Sequence, residues 1–520
     1  MKQILFGFLL LGSITLFTQC NQSEDHPPNI VLILADDLGY GDISSNNESG
    51  KIITPNIDQL GEEGIRFTDA HTSSAVCTPT RYGILTGRYN WRTRLKSGVL
   101  GGVSKALIPT NRSTVASVLK ESGYNTAFIG KWHLGWNWAK YEDSIKLEEK
   151  NFGASFGNID YTKPVTHTPN DLGFDYAYGH CGSLDMAPYV YVENGMATMS
   201  PDRTTVDTGY KFWRKGPTAP DFIHEDVTPN FFRRAMQYIE KQAEKDEPYF
   251  LYLPLPSPHT PILPTEEWQG KSGLNPYADF VIMIDDYMGQ LVEAIERTGE
   301  ADNTIVIFTS DNGCSPMAKF EVLEEMGHDP SYIFRGHKAD IFEAGHRVPF
   351  FIKWPKISNG GRVCDQTICT TDFLATFAEI AGYSLQANEG EDSYSLLKLI
   401  EGDLPDGKLF REATVHHSIN GSFSIRKGDW KLIMCPGSGG WSFPRPGRDK
   451  DVIASLPPIQ LYNLKEDPSE TNNMESAQPE KVEELKALLV KYIQDGRSTP
   501  GEKQENDPIQ GKWHQTSFIE

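Results

Sequence analysis

Positive charge is scarce in this chain, with 49 Lys and Arg against 70 Asp and Glu in 520 residues and a formal charge of −21. The deficit excludes a nucleic-acid binder, because affinity for a polyphosphate rests on clustered Lys and Arg. It also repels free polyanions. An anionic ligand would have to be gripped as a single terminal group, in a pocket where the few cations concentrate. Cysteine is sparse as well, with seven residues and no Cys or His spacing of the zinc-binding kind. Cys20 and Cys77 have special readings, given below. The remaining five (Cys181, Cys314, Cys364, Cys369 and Cys435) are an odd number, so no complete disulfide framework is implied. Cys364 and Cys369 are close enough in sequence to bridge, with buried free thiols as the equal alternative.

What is present begins with an export signal. Lys2 precedes the apolar run Ile4 to Phe17, which is too short for a comfortable membrane span. The order "LFTQC" resembles a bacterial lipoprotein signal, in which Cys20 is lipidated and becomes the first mature residue, although Gln19 stands where a small residue is usual. Plain cleavage into an extracytoplasmic space is the alternative. The expected location is the periplasm or cell surface, with membrane attachment through Cys20. Residues 21–28 read as a solvated tether. With 38% apolar residues the chain buries a sizeable core.

"NIVLILADD" is a continuous apolar run of strand length ending in two carboxylates, and "NTIVIFTSDNG" repeats the design near mid-chain. Continuous runs predict strands buried on both faces. Helical stretches such as "STVASVLKESG", "PNFFRRAMQYIEKQAEK" and "PYADFVIMIDDYMGQLVEAIERTG" alternate with them. The pattern is α/β, a large mixed, mainly parallel sheet flanked by helices. Ligand sites in such sheets lie beyond the carboxyl ends of the strands, where Asp36, Asp37, Asp311 and Asn312 fall. Four Asp and Asn side chains suit a hard cation, Ca²⁺ with Mg²⁺ as the alternative. A helix cap and a turn are the competing uses of these residues, and the matched placement after two strands weighs against them.

Between these strands the chain resembles the type I, formylglycine-dependent sulfatases of the alkaline phosphatase superfamily. The likeness is carried by C-x-P-[ST]-R at Cys77, Pro79, Thr80 and Arg81, followed by "LTGR". In the same order come "LADDLGYGD", "GKWHLG", "SPHTP", "SDNG" and "RGHKADIFEAGHRVPF". It covers roughly residues 28 to 475. It implies that a sulfatase-maturating enzyme oxidises Cys77 to formylglycine, and that Cys77 joins Asp36, Asp37, Asp311 and Asn312 around the metal. A serine attacking sulfur would leave an ester as inert as the substrate, whereas one hydroxyl of a hydrated aldehyde attacks and the other allows sulfate to be expelled. The resemblance further implies that Arg81 steadies the formylglycine and Lys131 contacts it and the sulfate. His133 acts as base in sulfate release, and His259 and Lys338 bind sulfate and help protonate the leaving oxygen. On spacing, Cys77 and Arg81 share one face of a helix. Lys131 and His133 point one way on a strand and Trp132 the other.

The general pattern looks most like bacterial enzymes that remove 6-O-sulfate from galactose or N-acetylgalactosamine, which makes a sulfated carbohydrate the expected substrate. A different sulfated position or an aryl sulfate, a phosphoester or phosphonate hydrolase of the same superfamily, and a non-catalytic glycan-binding protein are the alternatives. The aromatic stretches "KWHLGWNWAKY" and "LGFDYAYGHCGSLDMAPYVYVEN" read as core, with sugar stacking as the rival use. Asp175, His180 and Asp185 are the expected sugar contacts. His337 and His346 depart from the family pattern and read as packing residues. Residues 29–405 are expected to form the catalytic domain and 406–520 a smaller α+β unit of short antiparallel strands and one amphipathic helix, "KVEELKALLVKYIQDG". Its loop "GSGGWSFPRPGRDK" is a candidate substrate contact, with linker as the alternative.

Overall fold

The computed structural model describes residues 26–147, 156–358, 360–403, 408–508 and 513–519. The export signal and Cys20 lie outside them. Ten strands form the principal sheet: β1 (Asn29–Asp36), β2 (Ile65–Phe67), β3 (Asn125–Lys131), β4 (Tyr176–His180), β5 (Val192–Glu193), β6 (Met196–Ala197), β7 (Tyr249–Pro258), β8 (Thr304–Ser310), β9 (Phe350–Lys353) and β10 (Arg362–Cys364). Their order across the sheet is β10-β2-β9-β8-β1-β7-β3-β4-β5-β6. The central run from β8 through β1, β7 and β3 to β4 is parallel throughout. Antiparallel β9 and β5 flank it.

Every residue of β1 is buried, and the pleat divides them between two cores. Val31, Ile33 and Ala35 face the layer containing Phe231, Phe232, Met283 and Ile284, which belong to the helices Val227–Gln242 and Pro276–Thr298. Ile30, Leu32 and Leu34 face Ile84, Leu85, Val118, Leu119 and Phe377, from the helices Cys77–Thr86, Val115–Glu121 and Phe373–Ile380. Helices on both faces explain why the strand sequence shows no polar alternation. Parallel pairing also points the carboxyl ends of β1, β3, β4, β7 and β8 to one edge.

A separate antiparallel sheet follows, built from Thr414–His417, Phe423–Lys427, Trp430–Ile433 and Gln460–Asn463. The helix Pro479–Gln494 buries Leu485, Leu489 and Tyr492 against its Val415, Ile425 and Leu432. Charge joins this unit to the larger one: buried Lys431 lies 3.1 Å from Glu343 and 2.8 Å from Glu470, and Arg426 lies 2.7 Å from Asp69. All six described cysteines are free thiols, including Cys364 and Cys369, so of the two readings of that pair the unbridged one holds. The aromatic stretches are core in the main, with Trp132, Trp136, Tyr178, Tyr189 and Tyr191 all buried.

Candidate active site

β1 ends in Asp36, and the next residue turns into left-handed backbone, with φ of 66° at Asp37. A non-glycine residue holds that conformation only where its surroundings over-determine it. Here the turn after β8 does so. Asp37 N donates to Asp311 Oδ1 at 3.2 Å, Leu38 N to Ser310 Oγ at 3.0 Å, and Asn312 Nδ2 to Asp37 Oδ1 at 2.7 Å. Ser310 Oγ in turn donates to Asn312 O at 2.9 Å. Two chain segments more than 270 positions apart thus form one acidic socket.

The helix Cys77–Thr86 starts at Cys77 itself, after extended Val76, and stops at left-handed Gly87. One turn beyond Cys77, the fully buried Arg81 reaches into the socket. Its Nε and Nη2 lie 2.9 and 2.8 Å from Asp311 Oδ2, and Nη1 donates to Lys131 O at 2.9 Å. The Cys77 sulfur lies 3.6 Å from Lys338 Nζ, and Lys338 also sits 2.6 Å from Asp37 Oδ1. Lys131, at the end of β3, pairs with Asp36.

His133 is not on the strand, as the alternation had predicted. β3 stops at Lys131 and His133 sits in a left-handed turn with φ of 54°. Trp132 does point away, packing on Phe128 and Phe174. The turn aims His133 Nε2 at Leu100 O, 2.8 Å away. A carbonyl only accepts, so Nε2 carries the proton and Nδ1, buried and without a partner, is a bare base. His259 follows β7, with Nδ1 on the carbonyl of Thr260 and Nε2 3.6 Å from Asp37 Oδ2.

Burial sets the electrostatics. It pushes the Cys77 thiol up to about 12. Burial and Lys131 hold His133 well below the usual imidazole range, and burial with Lys338 lowers His259. Burial alone would raise Asp36, yet Lys131, His259 and Arg81 together keep it well below the carboxylate range. Lys338 is the converse: desolvation opposes its charge, and Asp37 raises it above the ordinary value.

The socket suits a hard cation on its own terms. Asp36 Oδ1 and Asn312 Oδ1 are buried oxygens with no hydrogen-bond partner, which is costly unless something positive takes them. Asp36, Asp37, Cys77 and His259 present ligand atoms within 4.8 Å of one another. His71, His346 and His416 also converge. Their nitrogens, however, are engaged with Asp69, Ile341, Lys431, Thr72, Thr414 and each other, which agrees with the packing reading of His346.

Of the expected sugar contacts, two stand near this edge. His180 ends β4, buried, with Nε2 lacking a partner. Asp185 pairs with Arg214 and keeps a free buried Oδ1. Asp175 is the correction. It precedes β4 at the opposite end of the sheet, accepting from Thr126 N and Oγ1 at 3.0 Å each and pairing with Lys120 at 2.6 Å. Five strand residues separate it from the site edge, about 17 Å of rise. Sequence reading also missed Ser183, whose buried hydroxyl lies 3.3 Å from Lys131 Nζ and 3.4 Å from His259 Nδ1. Its position just past the carboxyl end of a central strand was the available signal.

The sulfatase family profile matches residues 28–383. The chain belongs to the sulfatase family. Among curated proteins this sulfatase is 32% identical to the N-acetylgalactosamine-6-O-sulfatase of Bacteroides thetaiotaomicron, over 94% of this chain and 99% of that protein. It is 31% identical to human arylsulfatase A over 92% and 90%. A solved sulfatase structure from work on glycosaminoglycan metabolism by B. thetaiotaomicron superposes with a TM-score of 0.75 at 32% identity, covering 89% of this chain and 98% of that one. The sulfatase is therefore a sulfuric ester hydrolase. Formylglycine and a divalent metal are typical of its family.

Proposed function

We propose that this sulfatase removes 6-O-sulfate from a terminal galactose or N-acetylgalactosamine of a sulfated glycan, using formylglycine made from Cys77 and a bound Ca²⁺. The observation that carries the reading is the placement of Cys77 Sγ at a helix start, 3.6 Å from Lys338 Nζ and beside the Asp36 and Asp37 carboxylates. The sulfur marks where the aldehyde hydrate would stand after a maturating enzyme has acted. The sugar and position rest on likeness to the Bacteroides enzyme named above.

Asp36, Asp37, Asp311 and Asn312 would hold the cation, which when bound polarises a sulfate oxygen and acidifies the nucleophilic hydroxyl. Lys131 and Lys338 concentrate positive charge beside Cys77 in a protein that is acidic as a whole, so they bind the sulfate. As the bond from sulfur to the sugar oxygen breaks, that oxygen needs a proton, and His259 with Lys338 is placed to give it. His133 takes a proton through bare Nδ1 from the second hydroxyl of the hydrate, so that the carbonyl reforms and sulfate departs. Arg81 holds Asp311 and the carbonyl of Lys131, orienting both sides of the nucleophile. His180 and Asp185 are the proposed contacts to the sugar hydroxyls, through their unpartnered polar atoms. We place the enzyme outside the cytoplasm, tethered through lipidated Cys20. Among the described residues no helix is long and apolar enough to cross a membrane.

Peptide mass across Cys77, after co-production with a maturating enzyme, is expected to show an aldehyde in place of the thiol. The same protein should release sulfate from 6-sulfated N-acetylgalactosamine or galactose, and Cys77→Ala should release none. Full conversion without release from either sugar would refute the substrate assignment.

A further inference from the structure

We propose that residues 438–444 form a second sugar subsite, in which Trp441 and Phe443 stack on the pyranose ring next to the sulfated one in the same glycan chain. This rests on the sulfated-sugar reading above and extends it to the neighbouring residue of the substrate.

The loop is built to hold a position. Its base is closed by Ser438, whose N and Oγ both donate to Pro444 O at 3.1 Å. Its inner edge is bonded to the segment that carries Lys338: Ile341 N donates to Ser438 O at 2.8 Å. Trp441 N and Ser442 N both donate to Asp340 Oδ1, at 2.7 and 3.0 Å. The other oxygen of that fully buried carboxylate accepts from His337 N at 3.0 Å. Gly440 lies so close over the segment that a Cβ there would meet Ala339 O at 2.4 Å. One carboxylate, two residues from Lys338, therefore fixes the loop relative to the sulfate-binding ammonium.

The rings the loop presents are only partly buried. Trp441 is 44% exposed and Phe443 63%. Alone among the ten Trp residues of the chain, Trp441 is exposed. A rigid loop that holds two large apolar rings in water forgoes their burial, which marks an interaction site. A pyranose offers an apolar C–H face to such a ring while its hydroxyls stay hydrated. The loop is bonded to the segment bearing Lys338, so a glycan whose terminal sulfate Lys338 holds can extend towards these rings. Stacking also suits a chain with a charge of −21, since it captures a neighbouring sugar without adding cations. Because the loop is already ordered, little entropy is lost on binding.

The test uses the matured full-length enzyme on a 6-sulfated monosaccharide and on an oligosaccharide carrying the same terminal sulfated residue. Trp441→Ala is expected to raise KM for the oligosaccharide about tenfold, to leave its kcat unchanged, and to leave monosaccharide turnover at the wild-type level. Trp441→Phe should retain most of the affinity, and Phe443→Ala should repeat the Trp441→Ala pattern should that variant fold poorly. Equal effects on both substrates, or none on either, would overturn the subsite while leaving the sulfatase assignment standing. A fully converted wild type that releases sulfate from neither substrate would overturn the sugar reading and the subsite with it.

Discussion

Arg81 shows how much one side chain decides. It is fully buried and spends its guanidinium on Asp311 and the carbonyl of Lys131. Removing one partner of a buried pair strands the other charge, at a cost of about 3–5 kcal/mol. Arg81→Ala is therefore expected to lower the unfolding midpoint in urea by a corresponding amount and to abolish sulfate release. Arg81→Lys should rescue neither, because an ammonium cannot reach these partners in one plane. At this scale the C-x-P-[ST]-R spacing was legible because a helix maps positions i and i+4 onto one face. The proton of His133 was not. Its placement depends on the carbonyl of Leu100, 33 positions away, and on a left-handed turn that strand alternation does not anticipate.

At the scale of elements, the site is a joint between the turn after β1 and the turn after β8. The hydrogen bonds of Asp37, Leu38 and Asn312 hold the turns together, but they also crowd carboxylates at Asp36, Asp37 and Asp311. A cation that binds only the folded joint adds stability by mass action, about 2.7 kcal/mol at a hundred times its dissociation constant. Chelation should lower the melting temperature, and Ca²⁺ should restore it more fully than Mg²⁺. In Asp36→Asn the restoring concentration should rise. Calorimetry in the presence of EDTA with each ion added back decides it, and an unchanged melting temperature would remove the metal from the socket. Both strands were readable as continuous apolar runs, since burial on two faces leaves no room for polar alternation. Short β9 and β10 were not, because four and three residues carry no period.

Across the whole molecule, the smaller sheet is tied to the larger by a buried set of charges. Lys431 serves both Glu343 and Glu470, all with side chains 0% exposed. Lys431→Ala should destabilise the protein by about 3–5 kcal/mol and bring both units down in one transition. Burial and the nearby Glu343 push Glu470 up to about 7, despite Lys431. A carboxyl raised in the folded state keeps a proton that the unfolded chain has released, so its contribution is present below the ordinary value of about 4.3 and fades as pH rises towards 7. Glu470→Gln, which keeps an acceptor for Glu343 N, is expected to flatten that part of the pH dependence of melting. A variant with the wild-type slope would assign it to other groups.

The sequence alone determined the parallel core, the Cys77 helix and the identity of the charged residues at the strand ends. Each of these is written in local periodicity or in a contiguous motif, where neighbouring residues constrain one another directly. Only the tertiary structure decided which candidates meet. Asp175 and His180 bracket one strand, yet extended backbone carries them to opposite edges of the sheet. Ser183 was marked only by its place after a strand, because a serine carries no motif of its own and acquires its partners from strand order. The attachment of Trp441 to Asp340 likewise spans 101 positions. Contacts at such separations follow from the packing of the two units, and no short stretch of sequence encodes them.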